Sequence, residues 1–352
     1  MCASSDDVAV AAPYGNTGVS PSPTVEEACL SLEETLAVMD AAQSIAITGH
    51  MNPDGDALGS ALALRDLLEA LGKEVTVLLA QDQPAPKLYA FLPEYEFVYA
   101  SEYTKDPDLF IVVDASTLKR IGNSQDVLSR AKDTLVIDHH ANYEGFANHY
   151  LGDTTAPAAA TLIWQLIKAS TIEPTLNMAI YCYVAIMTDT GRFAYTNTNH
   201  SAFADAVEMV DLGVDPARMS ELVYEHKTAA AMRLEAMVIE RVKFACNGSI
   251  AYSYIAKGDL ETLGIERDAT EQLPPILRSI EGVEVAALFR DEGSEGVRVN
   301  LRSRGNYNVG IFACQHGGGG HAAAAGLSLE LPLEKAVSLI VDDLVIELSA
   351  CN

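Results

Sequence analysis

Two short clusters of carboxylate and imidazole side chains carry the chemical potential of this chain: His50-Met51-Asn52-Pro53-Asp54-Gly55-Asp56 and Asp138-His139-His140. Together these side chains suit a hard divalent ion that also accepts nitrogen, Mn²⁺ first, with Mg²⁺, Co²⁺ or Fe²⁺ as alternatives. Alone, the first cluster reads equally well as a polar turn, since Pro-Asp-Gly-Asp is ordinary turn chemistry and Asp56 can cap a following helix. A calcium EF-hand loop is excluded: counting from Asn52, Ala57 stands where the glycine belongs and Ala63 where the bidentate glutamate belongs. Two more carboxylates belong with these, Asp114 after an apolar run and Asp189 at the end of a helical one. An acid is disfavoured at a helix C-terminus by the macrodipole, and a nearby cation accounts for Asp189 there. Two ions about 3.5–4 Å apart share a ligand, and Asp114, alone at its strand end, is the expected bridge. Such a pair activates water and holds a phosphorus centre in line, which is metal-assisted phosphoester hydrolysis.

The elements that must position these groups are legible as apolar patterns. Residues 44–49 (SIAITG) read as a strand, 57–71 as a helix ending at Gly72, and 74–80 as a second strand, a βαβ unit and hence a parallel sheet. Residues 109–113 and 134–137 are apolar runs of the kind buried on both faces. If the strands near 45, 109 and 134 are neighbours, both clusters and Asp114 project from one sheet edge, where α/β proteins bind ligands. Helical patterns follow at 158–169, 176–187, 201–212 and continuously over 216–242. Strands return at 249–255, 283–289 and 297–301, the last two forming a hairpin through residues 291–294. A helix-like segment at 309–315, a glycine run at 317–320 and a closing helix at 333–348 complete the chain. The expected fold is α/β: an N-terminal parallel-sheet domain (24–213) after a mobile tail (1–23), a helical linker (214–245), and a smaller α/β domain (246–352), with the active-site cleft between them.

Composition narrows the chemistry. The 352 residues suffice for two cores, and 49% hydrophobic content fits a globular protein. A net charge of −26 repels a long polyanion, whose non-specific binding depends on phosphate neutralisation, but leaves room for a small phosphorylated substrate at a local basic site. Six scattered cysteines without a C-x-x-C pair argue against a disulfide framework or a zinc ribbon. No apolar run approaches the roughly 20 residues of a membrane span, and no secretion signal is visible, so a cytoplasmic location without membrane contact is expected.

The residues at 50–60, the lone Asp114, Asp-His-His at 138–140 and Thr-Asp-Thr-Gly-Arg-Phe at 188–193 resemble, in order, the four motifs of the DHH phosphoesterase superfamily. Residues 317–326 (GGGGHAAAAG) resemble the glycine-rich signature of its C-terminal substrate-binding domain, DHHA1. The resemblance implies that His50, Asp54 and Asp114 hold one metal, and Asp56, Asp114, His139 and Asp189 the other. It further implies that His140 faces the scissile phosphate and that Asp138 orients an imidazole. Arg192 is a phosphate contact or a solvated loop arginine. Arg298, Arg302 and Arg304 are expected on one strand face; Arg302 and Arg304, with Ser303, are the expected substrate contacts. Gly318, Gly319 and Gly320 suit close backbone approach to an anion, with His321 and His316 beside them. Single-strand exonucleases of the RecJ type carry further domains, family II pyrophosphatases lack the glycine-rich signature, and the membrane-bound cyclic-dinucleotide enzymes have N-terminal spans. What remains resembles the stand-alone oligoribonuclease and 3′-phosphoadenosine-5′-phosphate (pAp) phosphatase group. Its expected substrates are short oligonucleotides or small phosphonucleotides, and a homodimer is compatible with it. A cyclic or linear dinucleotide phosphodiesterase and a catalytically silent nucleotide-binding regulator are the alternatives.

Overall fold

The apolar runs that end in the two clusters are adjacent strands. A computed structural model describes residues 29–225, 227–265, 270, 273–305, 307–320 and 322–351, so the expected tail at 1–23 and His321 lie outside the described residues. Strands Ser44–Thr48 (β1), Glu74–Leu79 (β2), Val98–Tyr99 (β3), Leu109–Val113 (β4), Asp133–Asp138 (β5) and His149–Gly152 (β6) form a parallel sheet in the order β3-β2-β1-β4-β5-β6. All five β4 residues are buried, which is why that strand shows no polar alternation. The chain leaves β1 toward β2 on one side and returns on the other at β4. The carboxyl ends of β1 and β4 therefore flank the switch point of the sheet, where a crevice opens.

Among the described residues this unit includes helices Leu32–Ala41 (α1), Gly55–Ala70 (α2), Ser124–Arg130 (α3), Ala159–Ala169 (α4), Leu176–Asp189 (α5) and His200–Asp211 (α6). Ile45, Ile47, Ile111, Val113 and Ile137 point to the face covered by α2, α4 and α5, whereas Ala46, Phe110, Val112 and Val136 meet Ile121 and Val127 on the other. Helices α2 and α5 approach unusually closely. A Cβ on Gly59 would lie 2.5 Å from the Tyr181 carbonyl oxygen, so only glycine lets the two backbones meet there.

The continuous helix expected over 216–242 is broken in the structure. Pro216–Ser220 (α7) passes into one wide π-type turn at Glu221–Glu225, and a separate helix, Ala229–Glu240 (α8), begins where Thr228 Oγ1 accepts from Ala231 N (3.1 Å). A side-chain cap starts a new helix even where apolar periodicity runs on. Leu234 and Val238 of α8 pack into the second core.

That core surrounds strands Lys243–Ala245 (β7), Ile250–Ile255 (β8), Val285–Asp291 (β9), Val297–Ser303 (β10), Gly319–Gly320 (β11) and Ala324–Leu329 (β12), in the order β11-β12-β10-β9-β8-β7. β9 and β10 form the expected antiparallel hairpin, and β8 runs parallel to β9. Helices Asp259–Leu263 (α9) and Pro274–Arg278 (α10) join α8 near one face, while Val309–Gln315 (α11) and Leu333–Cys351 (α12) cover the other. The alanine-rich segment enters β12, because pairing of Ala324 with Arg302 and Gly326 with Asn300 overrides alanine's weak strand preference. Among the described residues no helix is long and apolar enough to cross a membrane.

Candidate metal centre and substrate cleft

The loops after β1, β4 and β5 and the end of α5 bring the acidic and imidazole groups to one point. His50 follows β1, and Asp54 caps α2 by accepting from Asp56 N (3.0 Å) and Ala57 N (3.1 Å). Asp56 does not cap its own helix. Its carboxylate accepts from Ala159 N (2.7 Å), Ala160 N (3.0 Å) and Ser60 Oγ (3.0 Å), so a residue of α2 caps α4, a helix without a side-chain cap from its own N-cap residue Ala158. Asp114 has φ +54°, a conformation uncommon for a non-glycine residue, held as its N–H donates to Ile137 O (3.0 Å). This kink turns the carboxylate across the sheet edge.

Asp114 stands between two groups of side chains. Its Oδ2 lies 3.3 Å from His50 Nε2, while Oδ1 lies 3.6 Å from His139 Nε2. His50 Nε2 is 3.7 Å from Asp54 Oδ1; His139 Nε2 is 3.7 Å from Asp56 Oδ2 and 3.8 Å from Asp189 Oδ2. These separations are longer than good hydrogen bonds. They are close to the 3.0–3.4 Å, roughly, between two ligand atoms that each sit about 2.1 Å from one octahedral or tetrahedral ion. The donor set, carboxylate oxygen with imidazole nitrogen, is that of manganese, iron, cobalt or zinc sites. Among the described residues three ligand groups are close enough to hold an ion: His50 with Asp54 and Asp114; Asp56 with His139 and Asp189; and Asp114 with His139 and His140.

Backbone carbonyls fix the ring tautomers. His50 Nδ1–H donates to Met51 O (2.8 Å) and His139 Nδ1–H to Ala156 O (3.1 Å), so each Nε2 is presented to the carboxylates as a ligand atom. His140 is turned differently. Its Nδ1 lies 2.7 Å from Asp138 Oδ1, and its Nε2 lies 3.1 Å from Arg120 Nη1. A guanidinium only donates, so Nε2 accepts and Nδ1–H donates to Asp138. Without an ion the cluster holds protons instead. Burial and Arg120 oppose protonation of His50, yet Asp114 and Asp54 carry its pKa up to about 10. Burial pushes Asp189 up to about 6 against the pull of His139, and Asp56 rises for the same reason, reinforced by Asp114. Asp114 goes the other way: burial would raise it, but His139 and His50 hold it well below the usual carboxylate range.

The remaining expected residues are more dispersed. Gly191, Arg192 and Phe193 are three successive left-handed residues (φ +55°, +65° and +59°), and they aim the Arg192 guanidinium at the Tyr224 ring, 3.9 Å from its centroid. Arg298 and Arg302 share the half-buried face of β10, as expected, but Arg304 lies past the strand end, exposed, with Nη2 donating to Arg278 O (3.1 Å). Ser303 turns to the opposite, buried face and donates to Ala322 O (2.9 Å), because strand alternation separates it from its arginine neighbours. His316 faces Phe312 O (2.9 Å) through Nδ1 and Asp343 Oδ2 (3.0 Å) through Nε2, which fastens α11 to α12. Gly319 and Gly320 pair with β12, and Gly318 lies tight against it: a Cβ on Gly318 would sit 2.3 Å from Gly326 O.

Two residues with a part in the site escaped the sequence reading. Arg120 lies in a short turn after β4 and contacts His140; its only sequence signal is a basic residue six positions after Asp114 in an acidic chain. Asn197 donates to both Asp189 Oδ2 (3.1 Å) and Pro157 O (3.0 Å), orienting that carboxylate, and no local pattern marks it. Contact between the two units is visible at Arg278, whose guanidinium lies 4.2 Å over the Tyr195 ring.

Residues 44–188 match the profile of the DHH family, N-terminal domain, and residues 247–346 that of the DHHA1 domain. The chain is 30% identical over 301 residues to the bifunctional oligoribonuclease and PAP phosphatase NrnA of Bacillus subtilis, covering 85% of this chain and 92% of that one. It is 29% identical over 328 residues to the protein of the same name from Thermus thermophilus, covering 92% and 96%. In fold it is similar to an exopolyphosphatase-related protein from Bacteroides fragilis, with a TM-score of 0.82, 24% identity, and 90% and 95% of the two chains covered.

Proposed function

The chain belongs to the DHH family of phosphoester hydrolases, with a DHHA1 domain, and from that premise we propose that it hydrolyses very short oligoribonucleotides to nucleoside 5′-monophosphates and pAp to AMP. One observation carries this reading: carboxylates and imidazoles from four separate segments converge at the sheet's switch point, with the two oxygens of Asp114 facing different histidines. Relatives named for both activities match over most of their length.

In this proposal His50, Asp54 and Asp114 hold one divalent ion and Asp56, Asp114, His139 and Asp189 the other, with Mn²⁺ the expected metal. When bound, such a pair would supply positive charge that polarises a phosphoryl group and lowers the pKa of water, so that hydroxide is available near neutral pH. The protein's own residues do the rest. Asp138 holds His140 in one tautomer, so its Nε2 stays directed to Arg120 at the cleft, where it stabilises charge or exchanges a proton with substrate. Arg192 contacts a phosphate, and Arg302, Arg304 and the backbone of Gly318, Gly319 and Gly320, with His321, hold the distal part of the substrate. Ser303 and His316 are assigned supporting roles, since their polar atoms engage Ala322, Phe312 and Asp343. We assign residues 24–213 to the catalytic domain, 246–352 to the substrate domain and 214–245 to the linker, whose Val214, Met219 and Val223 pack on the first core and whose Leu234 and Val238 pack on the second. A cleft between them restricts length, because one phosphate is held at the metals while the next is held by the second domain.

The test is release of mononucleotide from a dinucleotide such as pApA, and of phosphate from pAp, by manganese-loaded protein. Turnover of both is expected. Tight binding of pApA without cleavage would overturn the hydrolase reading in favour of a silent regulator.

A further inference from the structure

The two ligand groups that share Asp114 are supported in different ways. His50 and Asp54 are held within their own loop: His50 Nδ1–H donates to Met51 O (2.8 Å), and the Asp54 carboxylate accepts from Asp56 N (3.0 Å) and Ala57 N (3.1 Å). Asp56, His139 and Asp189 come from three elements, the start of α2, the turn after β5 and the end of α5. Their contacts converge on one stretch of backbone, residues 156–160 (APAAA). His139 Nδ1–H donates to Ala156 O (3.1 Å), and the Asp56 carboxylate accepts from Ala159 N (2.7 Å) and Ala160 N (3.0 Å). Asp189 reaches the same stretch through Asn197, whose Nδ2 donates to Asp189 Oδ2 (3.1 Å), to Asp189 O (3.2 Å) and to Pro157 O (3.0 Å). All three partners are acceptors, so the amide presents its nitrogen, and a side chain without N–H donors could not make this link.

The composition of that stretch suits a support. Pro157 fixes its own φ and disfavours the helical region for Ala156, which stiffens the approach to α4. Ala158, Ala159 and Ala160 are buried and carry no side chain that would keep the Asp56 carboxylate from the open N–H groups of the first turn. A carboxylate is also favoured at that end by the helix dipole. Groups that hold a metal's ligands from behind fix the orientation of ring and carboxylate, and losing one typically costs about 10–100-fold in metal affinity.

We propose that residues 156–160 form the common support of one ion's ligands, Asp56, His139 and Asp189, and that Asn197 is the positioning residue that fastens Asp189 to it. His50 and Asp54 do not depend on this support. The proposal rests on the binuclear reading above and deepens it: the two ions are held by separable parts of the fold, one by a local loop and the other by a stretch more than a hundred residues from Asp56 in sequence. Loss of Asn197 should therefore weaken one ion and spare the other.

The experiment titrates metal-free protein with Mn²⁺ by calorimetry, for wild type, Asn197→Leu and Asn199→Ser. Leucine keeps the forked shape of the side chain without an N–H; should that variant fail to fold, Asn197→Ala carries the same expectation. Asn199 lies in the same loop and donates to Thr155 O (2.8 Å), next to the support, but among the described residues its side chain bonds none of the ligands. Serine in its place keeps the cap on α6, where Asn199 Oδ1 accepts from Ala202 N (3.2 Å). Wild type is expected to take two ions. Asn197→Leu should keep one binding step at wild-type affinity and lose about 10–100-fold in the other. At two equivalents of Mn²⁺ its electron paramagnetic resonance spectrum should show isolated ions in place of a coupled pair. Asn199→Ser should leave both steps as in wild type. Two unchanged steps in Asn197→Leu, equal weakening of both, or an equal loss in Asn199→Ser would overturn the proposal alone. Wild type that takes fewer than two ions would overturn the binuclear reading and the proposal with it.

Discussion

At the scale of the residue, Asp114 concentrates the demands on this site. It is buried, lies in the left-handed region and faces His50 with one oxygen and His139 with the other. Replacement by alanine mixes two effects, because alanine tolerates a positive φ poorly whereas asparagine adopts it readily. Asp114→Asn therefore separates charge from backbone. It should keep the far-ultraviolet circular dichroism of the wild type while kcat/KM on pApA falls at least about 10²–10³-fold, the cost of losing a group that stabilises transition-state charge. Calorimetric titration with Mn²⁺ should show weakened binding at both sites; loss at one site alone would remove the bridging role. The three histidines illustrate how identical side chains are divided by their partners. Carbonyls at Met51 and Ala156 direct two Nε2 atoms to the carboxylates, while Asp138 and Arg120 engage the two nitrogens of the third ring.

At the scale of the element, the close approach of α2 and α5 sets the distance between Asp56 and Asp189. Gly59→Ala gains up to about 1 kcal/mol of helix propensity, but its methyl group meets the Tyr181 carbonyl, and overpacking of that kind costs about 1–3 kcal/mol. Because the obstacle is backbone, the second effect wins. The variant should melt a few degrees lower and bind Mn²⁺ more weakly; an unchanged or raised Tm would show that the helices can separate without cost. In the second domain, His316 joins α11 to α12, and the direction of its pKa predicts how that link responds to pH. Burial lowers it, but the Phe312 carbonyl and Asp343 raise it further, so the folded value lies above that of the unfolded chain. Its stabilisation is fully present below about pH 6.5 and disappears as pH rises through the raised folded value. The Tm difference between wild type and His316→Gln should accordingly shrink from pH 5.5 to pH 9. A difference that widened over that range would contradict the pairing.

At the scale of the whole molecule, the negative charge and the proposed cleft between the domains point to the same class of substrate. A net charge of −26 repels a long polyanion, whose non-specific binding depends on phosphate neutralisation. Contact of Arg278 with Tyr195 links the second domain to the loop that follows Asp189. Tyr195→Ala removes a cation–π contact of about 0.5–2 kcal/mol, which corresponds to a rise in KM for pApA of about 2–30-fold. Mn²⁺ affinity should stay near that of wild type, since Tyr195 holds no ligand. A fall in metal affinity with KM unchanged would mean that the contact shapes the metal loop rather than domain closure.

The candidate metal-binding groups stand out in the sequence because they depend on short-range order: apolar strands announce themselves by composition, and the carboxylates and imidazoles cluster in the turns that end them. The same local rules give the β9–β10 hairpin and the helices that flank the first sheet. They fail where one segment satisfies another far away. Asp56 caps α4 across more than a hundred residues, the Thr228 cap breaks an unbroken apolar pattern, and pairing with β10 draws an alanine run into a strand. Arg120 shows the limit most clearly. It is an ordinary basic residue in sequence, and only the strand order places it beside His140. Residue types and turns fixed which reaction chemistry is available here, because ligand identity is a local property. The tertiary structure decided which groups stand together around the substrate, because convergence of distant segments depends on topology.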